Sequence, residues 1–262
     1  MNMPDVTVLE DVQNTPDKRR RTIDKVGVKS LKYPVFYQTH DESPIRVVAD
    51  FSMYVSLPHH LKGTHLSRFI ELLERPDTVF SIHTMPQFMN DLLSLLDAEH
   101  AFVSLEFPFF MHKTAPVSGA KSMMDYTLTL MAEQTETYNL SVKLEIPVTS
   151  LCPCSKKISS YGAHNQRSMV TVTVKLTQPI EIEDLIRLIE KQASSQLYGL
   201  LKRQDEKFVT EYAYNNPKFV EDLIRDVADV IEAIPAVNRF MVECENFESI
   251  HNHSAYAFID AM

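Results

Sequence analysis

Along residues 46–57 (VVADFSMYVSLP) apolar and polar positions alternate, which predicts a strand with one buried face. Residues 66–75 (LSRFIELLER) and 86–97 (PQFMNDLLSLLD) carry apolar residues at helical spacing instead, predicting two helices, with Pro86 suited to a first helical turn. Strand-like runs follow at 101–110 and 123–131. From 137 the order recurs: strands at 137–149 and 168–176, then a helix from about 181 to 202, where Ile182, Leu185, Ile189, Leu197 and Leu200 fall mainly on one face. A second helix is predicted from Pro217, in PKFVEDLIRDVADVIEAI, with Phe219 and Val220 expected to face the core. Strands at 237–244 and 254–261 end the chain. Residues 1–45, with Pro34 and Pro44 and no sustained period, predict an irregular arm packed on the body or on a neighbour.

The pattern is that of an α+β protein built twice, over 46–136 and 137–262, each half an antiparallel sheet carrying two antiparallel helices on one face. Such a module leaves its other sheet face and its strand edges without partners. Closure into a barrel by homo-oligomerisation is the expected remedy.

Composition narrows the possibilities. At 262 residues, 44% hydrophobic and 23% charged, the chain reads as globular rather than disordered. No window approaches the ~20 apolar residues of a membrane span, and the acidic start MNMPDVTVLEDVQ is unlike a signal peptide, so a cytoplasmic protein is expected. A net charge of −9 argues against nucleic-acid binding, and five scattered glycines form no phosphate-binding loop. Three cysteines cannot make a disulfide framework, which leaves metal binding, catalysis or packing.

Two of those cysteines fall in 150-SLCPCSKKISSYGAHNQRS-168. Thiolate sulfur and imidazole nitrogen are preferred ligands of late divalent ions, so Cys152 and His164 on one segment are metal candidates. A C-x-C pair without a second pair does not fit a structural zinc site; an open catalytic site with ligands from elsewhere fits better. His251 and His253, in the polar interruption 246-NFESIHNHSAYA-257, and Glu206, in the charged stretch 202-KRQDEKF-208 read as a loop, are candidates for the rest.

The string C-P-C-S-K, a short spacer and Y-G-A-H-N-Q-R-S resembles the signature of the type IB GTP cyclohydrolases. Other segments agree in order: 21-RTIDKVGVKSLKYPV-35, 61-LKGTHLSRFIELLE-74, 113-KTAPVSG-119, 216-NPKFVEDLIRD-226 and 242-VECENFESIHNHSAYA-257. The resemblance implies the tunnelling fold, a bimodular subunit assembled as a tetramer, and conversion of GTP and water to 7,8-dihydroneopterin triphosphate and formate. Carried over motif by motif, it implies one divalent metal (zinc, manganese or iron) at Cys152, His164, Glu206 and His251. His164 is either a ligand or the group that protonates the purine as its ring opens. Cys154 would stand beside the metal-centred thiolate, where oxidation could pair it with Cys152 and shut the site.

Glu221 is implied as the guanine anchor, a carboxylate accepting from N1 and the 2-amino group. For the triphosphate, Lys62, Thr64, His65 and Arg68 open a predicted helix, whose first N–H groups favour anions, and Lys113, Lys156 and Arg167 are further candidates. These residues come from both halves, so a site between modules or subunits is expected. His65 or Ser118 could assist the later ribose rearrangement. Two other readings remain at this level: the nitrile reductase branch of the same fold, whose catalytic cysteine lies in another motif, and a metal-stabilised binding protein without turnover.

Overall fold

The computed structural model describes residues 11–39 and 43–262; the rest of the predicted arm, 1–10 and 40–42, lies outside the described residues. In chain order the elements are β1 (Ile23–Tyr37), β2 (Ile45–Leu57), α1 (Leu66–Leu73), β3 (Val79–Phe80), α2 (Met85–Leu96), β4 (Ala101–Thr114), β5 (Lys121–Gln134) and β6 (Tyr138–Leu151). They continue with α3 (Pro153–Ile158), β7 (Asn165–Leu176), α4 (Ile182–Glu190), β8 (Ser195–Gln196), α5 (Arg203–Asn215), α6 (Val220–Glu232), β9 (Val237–Asn246) and β10 (Ala255–Ala261).

The two predicted sheets are one. Strands run in the order β10-β9-β7-β6-β5-β4-β2-β1-β3, with β8 paired to β6, and the β5–β6 hairpin joins the halves. All pairings are antiparallel except the short β1–β3 contact, so the sheet is mixed. Strand positions alternate between buried and open, and the buried ones meet α1 and α2 in the first half and α4 and α6 in the second. A single apolar cluster runs through both halves, from Phe51, Phe69 and Met89 to Val172, Leu223 and Val227. Truncating Phe69, fully buried, to Ala is expected to cost about 3–5 kcal/mol. Gly27 of β1 permits this packing, since a Cβ there would stand 2.1 Å from the Met53 carbonyl oxygen.

Four sequence expectations about local structure are corrected. The predicted arm contains β1, a strand of 15 residues paired with β2. Two register shifts, one at Ser30 with φ of 55°, break its period, and Pro34 fits because, among the described residues, the side of β1 away from β2 is paired only at Phe36 and Tyr37. The predicted helix over 181–202 ends at Glu190. Buried Ser194 and Ser195 leave the helix, with Ser194 Oγ accepting from the Leu151 N–H at 3.1 Å and Ser195 pairing with Thr149 of β6. The stretch 202–208 is not a loop but the start of α5, a helix that buries only Asp205 and Ala213 and so offers no apolar stripe. Phe219 caps α6 in the open and does not face the core, whereas Val220 does.

Candidate active site at one end of the sheet

The strand registers gather the chemistry at one end. Thr114 pairs with Lys121 across the β4–β5 hairpin, Leu151 with Asn165 across β6–β7, and Ser168 with Asn246 across β7–β9. The hairpin 115–120, the segment 152–164 and the loop 247–254 therefore all leave the sheet on the same side. The N-terminus of α6 joins them, because the Lys218 N–H donates to the Leu151 carbonyl at 3.0 Å. Beneath this rim a buried polar knot fixes β6, β7 and β9 together. Ser150 Oγ and Ser168 Oγ lie 2.7 Å apart, and Ser168 donates to Asn246 Oδ1 at 2.7 Å.

On that base Cys152 is the N-cap of α3, with Pro153 in the first turn, and its Sγ accepts from the Ser155 N–H at 3.4 Å. The Cys152 N–H donates to the His164 carbonyl at 3.1 Å, so the two candidate donors are held by one closed segment. His164 is half-buried and its Nδ1 is engaged: Gln166 Oε1 lies at 3.0 Å, Ser249 Oγ at 3.4 Å and Glu248 Oε2 at 3.9 Å. A proton on Nδ1 is the tautomer that satisfies Gln166 Oε1, and among the described residues Nε2 has no hydrogen-bond partner, the orientation expected of a metal-binding or substrate-facing histidine. Sulfur, imidazole nitrogen and carboxylate oxygen are donors suited to a divalent ion. Glu248, Ser249 and Gln166 went unnoticed in the sequence; the signal for the first two is the polar break that also contains His251, and Gln166 lies inside the quoted motif, two residues after His164.

The remaining candidates are distributed as follows. Cys154 is exposed on α3, and His251 and His253 stack in the β9–β10 loop with ring centroids 5.2 Å apart. Glu206 is exposed in the first turn of α5, and Glu221 is exposed in the first turn of α6. Among the described residues no three His, Cys, Asp or Glu side chains of a single chain stand together as a metal-holding group. Arg167 is exposed, and its carbonyl accepts from the Phe247 N–H at 3.0 Å. Lys156 Nζ donates to the Tyr214 carbonyl at 2.5 Å and lies 4.3 Å from that ring's centroid. Lys113 is buried, with Nζ 2.6 Å from Glu190 Oε2 and 2.8 Å from Gln196 Oε1, so its charge is neutralised inside the fold.

Next to Glu206, Asp205 is fully buried and ties α5 to the hairpin 115–120. Its Oδ1 accepts from the Val117 and Ser118 N–H groups at 2.9 and 2.8 Å, and its Oδ2 from Ser118 Oγ and the Lys202 N–H at 2.6 and 2.8 Å. Burial acts to raise its pKa, but the donors, led by Ser118, outweigh it and hold the carboxyl below the usual carboxylate range.

Lys62, Thr64, His65 and Arg68 sit elsewhere. They follow β2, whose Val55 pairs with Ala101, and Ala101 is at the opposite end of β4 from Thr114. At ~3.3 Å per residue the two ends of β4 lie roughly 40 Å apart along the strand. There Thr64, His65 and Arg68 line a polar concavity of about 220 Å³, and residues 13–17 run beside it as an added strip, with the Lys62 N–H donating to the Thr15 carbonyl at 3.2 Å. His65 Nε2 lies 3.3 Å from Asp11, and Arg68 donates to the Leu95 carbonyl at 2.9 Å. A larger groove, about 440 Å³, lies on the helix-free face between Tyr54, Phe102, Met131 and Met241, away from the thiols.

Comparison with known proteins gives the family and the fold. Residues 9–257 match the family model described as type I GTP cyclohydrolase folE2. A curated relative from Methylobacillus flagellatus, "GTP cyclohydrolase FolE2", is 53% identical over 99% of this chain and 98% of its own. One of the same name from an Azoarcus species is 51% identical over 99% and 97%. Among solved structures, uricase from Arthrobacter globiformis superposes with a TM-score of 0.53 over 90% of this chain and 93% of its own, at 9% identity. That likeness concerns the fold alone: an α+β architecture of the tunnelling type.

Proposed function

The chain belongs to the type I GTP cyclohydrolase folE2 family, and from that premise we infer that it opens the imidazole ring of GTP with water, giving 7,8-dihydroneopterin triphosphate and formate for folate synthesis. The observation that favours the sheet end as the site is His164, whose Nδ1 is engaged by Gln166, Ser249 and Glu248 while Nε2 stays free beside the Cys152 segment. Cys152, His164, Glu206 and His251 would hold one divalent ion, and zinc, manganese and iron all suit a sulfur, nitrogen and oxygen donor set. Such an ion supplies the Lewis acidity that makes water a competent nucleophile at neutral pH.

The chain's own residues orient and protonate. Glu221, exposed at the start of α6, accepts hydrogen bonds from guanine N1 and the 2-amino group, which selects guanine over adenine. His164 Nε2, held in place from its far side, is the group able to exchange a proton with the imidazole nitrogen as the ring opens. Cys154, on α3, stands two residues after Cys152, with Pro153 between them.

A second copy of the chain is needed for the triphosphate. The cluster Lys62, Thr64, His65 and Arg68 lies a strand's length from Cys152 in one chain, so it reaches the same nucleotide only from a neighbour. Exposed Ile158, Tyr161, Phe219, Phe247 and Ile250 around the thiol end are the apolar surface such a neighbour would cover. A homotetramer whose sheets close into a barrel accounts for both, with Arg167 as the cation contributed locally. No helix among the described residues is long and apolar enough to cross a membrane, and a cytoplasmic setting suits a GTP-consuming enzyme.

The test is to supply metal-reconstituted protein with GTP and measure formate together with neopterin fluorescence after oxidation. Cys152→Ala is expected to abolish both, and Glu221→Ala to raise KM far more than it lowers kcat. Absence of both products with zinc, manganese and iron alike would remove the assignment.

A further inference from the structure

We propose that Asp205 is a positioning residue for Glu206: by fastening the first turn of α5 to the β4–β5 hairpin, it sets where the neighbouring carboxylate stands. The inference rests on the reading of Glu206 as a metal ligand given above.

Consecutive residues on a helix point about 100° apart. In the first turn of α5 this separates a buried carboxylate, Asp205, from an exposed one, Glu206. Asp205 accepts two donors at each oxygen, which exhausts the lone-pair sites of a carboxylate. Three of the four come from Val117 and Ser118, 87 to 88 residues earlier in the chain. The fourth, from Lys202, fixes the helix start itself.

The hairpin that supplies those donors is itself closed by hydrogen bonds. Ala115 N–H donates to the Ala120 carbonyl at 2.8 Å, Gly119 N–H to the Ala115 carbonyl at 3.1 Å, and Ser118 Oγ accepts from Ala120 N–H at 3.3 Å. Gly119 takes φ of 68°, which a residue with a Cβ adopts only under strain. Meanwhile α5 has little apolar anchorage, since Asp205 and Ala213 are its only buried residues. The location of its N-terminus, and hence of Glu206, therefore depends on polar contacts, and Asp205 makes them.

Replacing Asp205 by Asn keeps the shape but turns an amide N–H₂ toward groups that donate, so at least one contact is lost and the turn loosens. Outer-shell partners of metal ligands commonly change affinity by about 10–100-fold. The measurement is Co²⁺ affinity of the full-length protein by chelator competition, without GTP, read through the thiolate-to-cobalt absorption band and accompanied by circular dichroism. Asp205→Asn is expected to weaken Co²⁺ binding at least ~10-fold with a native spectrum in the far ultraviolet. Ser118→Ala should weaken it less, and Ser118→Thr, which keeps the hydroxyl, should restore it.

Glu206→Gln is the control for the underlying reading. If it binds Co²⁺ like the wild type, the ligand assignment of Glu206 falls, and this inference with it. If Glu206→Gln weakens binding but folded Asp205→Asn stays within twofold of wild type, the positioning role alone is overturned. Should Asp205→Asn not fold, the Ser118 pair decides: equal affinity of the Ala and Thr variants overturns the proposal, and loss with rescue supports it.

Discussion

Two buried carboxylates, Glu190 and Asp205, join the first half of the sheet to the second, and they are stabilised by opposite means. Glu190, at the end of α4, faces a cation: Lys113 Nζ lies at 2.6 Å, and Tyr126 OH donates to its other oxygen at 2.8 Å. Asp205, on α5, faces no cation among its hydrogen-bond partners, only three backbone N–H groups and one hydroxyl. One junction concentrates its compensation in a single charge; the other divides it among four dipoles. A concentrated junction fails when one side chain is removed, whereas a divided one degrades by steps. The first therefore suits a structural tie and the second suits the fine location of a neighbouring group.

The largest expected effect comes from breaking the concentrated junction. Glu190→Ala leaves the Lys113 ammonium, 6% exposed, without its counter-charge. Burial already draws Lys113 below the ordinary lysine value while Glu190 works to keep it protonated. Removing one partner of a buried pair costs about 3–5 kcal/mol, measurable by urea denaturation. The double replacement Lys113→Met with Glu190→Leu is expected to recover most of that loss, because two apolar groups need no compensation. A double variant as unstable as the sum of the singles would show that the pair is not the source of the cost.

A smaller step comes from Tyr126→Phe, which removes one hydrogen bond to Glu190 and leaves the ion pair. Hydrogen bonds to charged groups contribute about 1.5–3 kcal/mol, so the variant should fall short of Glu190→Ala in the same urea experiment. A loss as large as that of Glu190→Ala would mean that the phenol, not the ammonium, carries the junction.

These junctions also mark where the sequence stops being legible. Strands β2, β4, β6, β7 and β9 were readable because each buries alternate residues, as did helices α1, α2 and α6 through their apolar stripes. Strand β1 was not, since two bulges and Pro34 erase its period. Helix α5 was not, because a helix held by Asp205 rather than by an apolar stripe looks like a charged loop. Leu197 and Leu200 continued the helical spacing of α4, yet pairing of Ser195 with β6 ended that helix first. The same holds at the site. Cys152 and His164 share one segment and could be read together, but Glu248 meets His164 from 84 residues away, and Lys113 looked like a free cation because its partner Glu190 lies on another element. Local pattern reports local structure; hydrogen-bond partners set by tertiary folding leave no mark on it.

The smallest and most selective effect is on pH dependence. Burial, aided by Glu190, raises the Tyr126 phenol above its ordinary value near ~10. The unfolded chain therefore releases this proton at a pH where the folded protein still holds it, so folding stability falls as pH rises past ~10, by up to ~1.4 kcal/mol per pH unit for the one group. Lys113 acts with the opposite sign: its folded pKa is depressed, so its contribution rises with pH until the unfolded lysines titrate near ~10.4. Tyr37 and Tyr138 are raised as well and decline in parallel, so the difference between variants is the informative quantity. Tyr126→Phe should show a shallower alkaline decline than wild type. Ser118→Ala, which touches only the divided junction, should leave that slope unchanged, because a backbone N–H and a serine hydroxyl do not titrate there. Equal slopes for wild type and Tyr126→Phe in urea midpoints measured from pH 9 to 11 would break the distinction between a junction built on titrating partners and one built on dipoles.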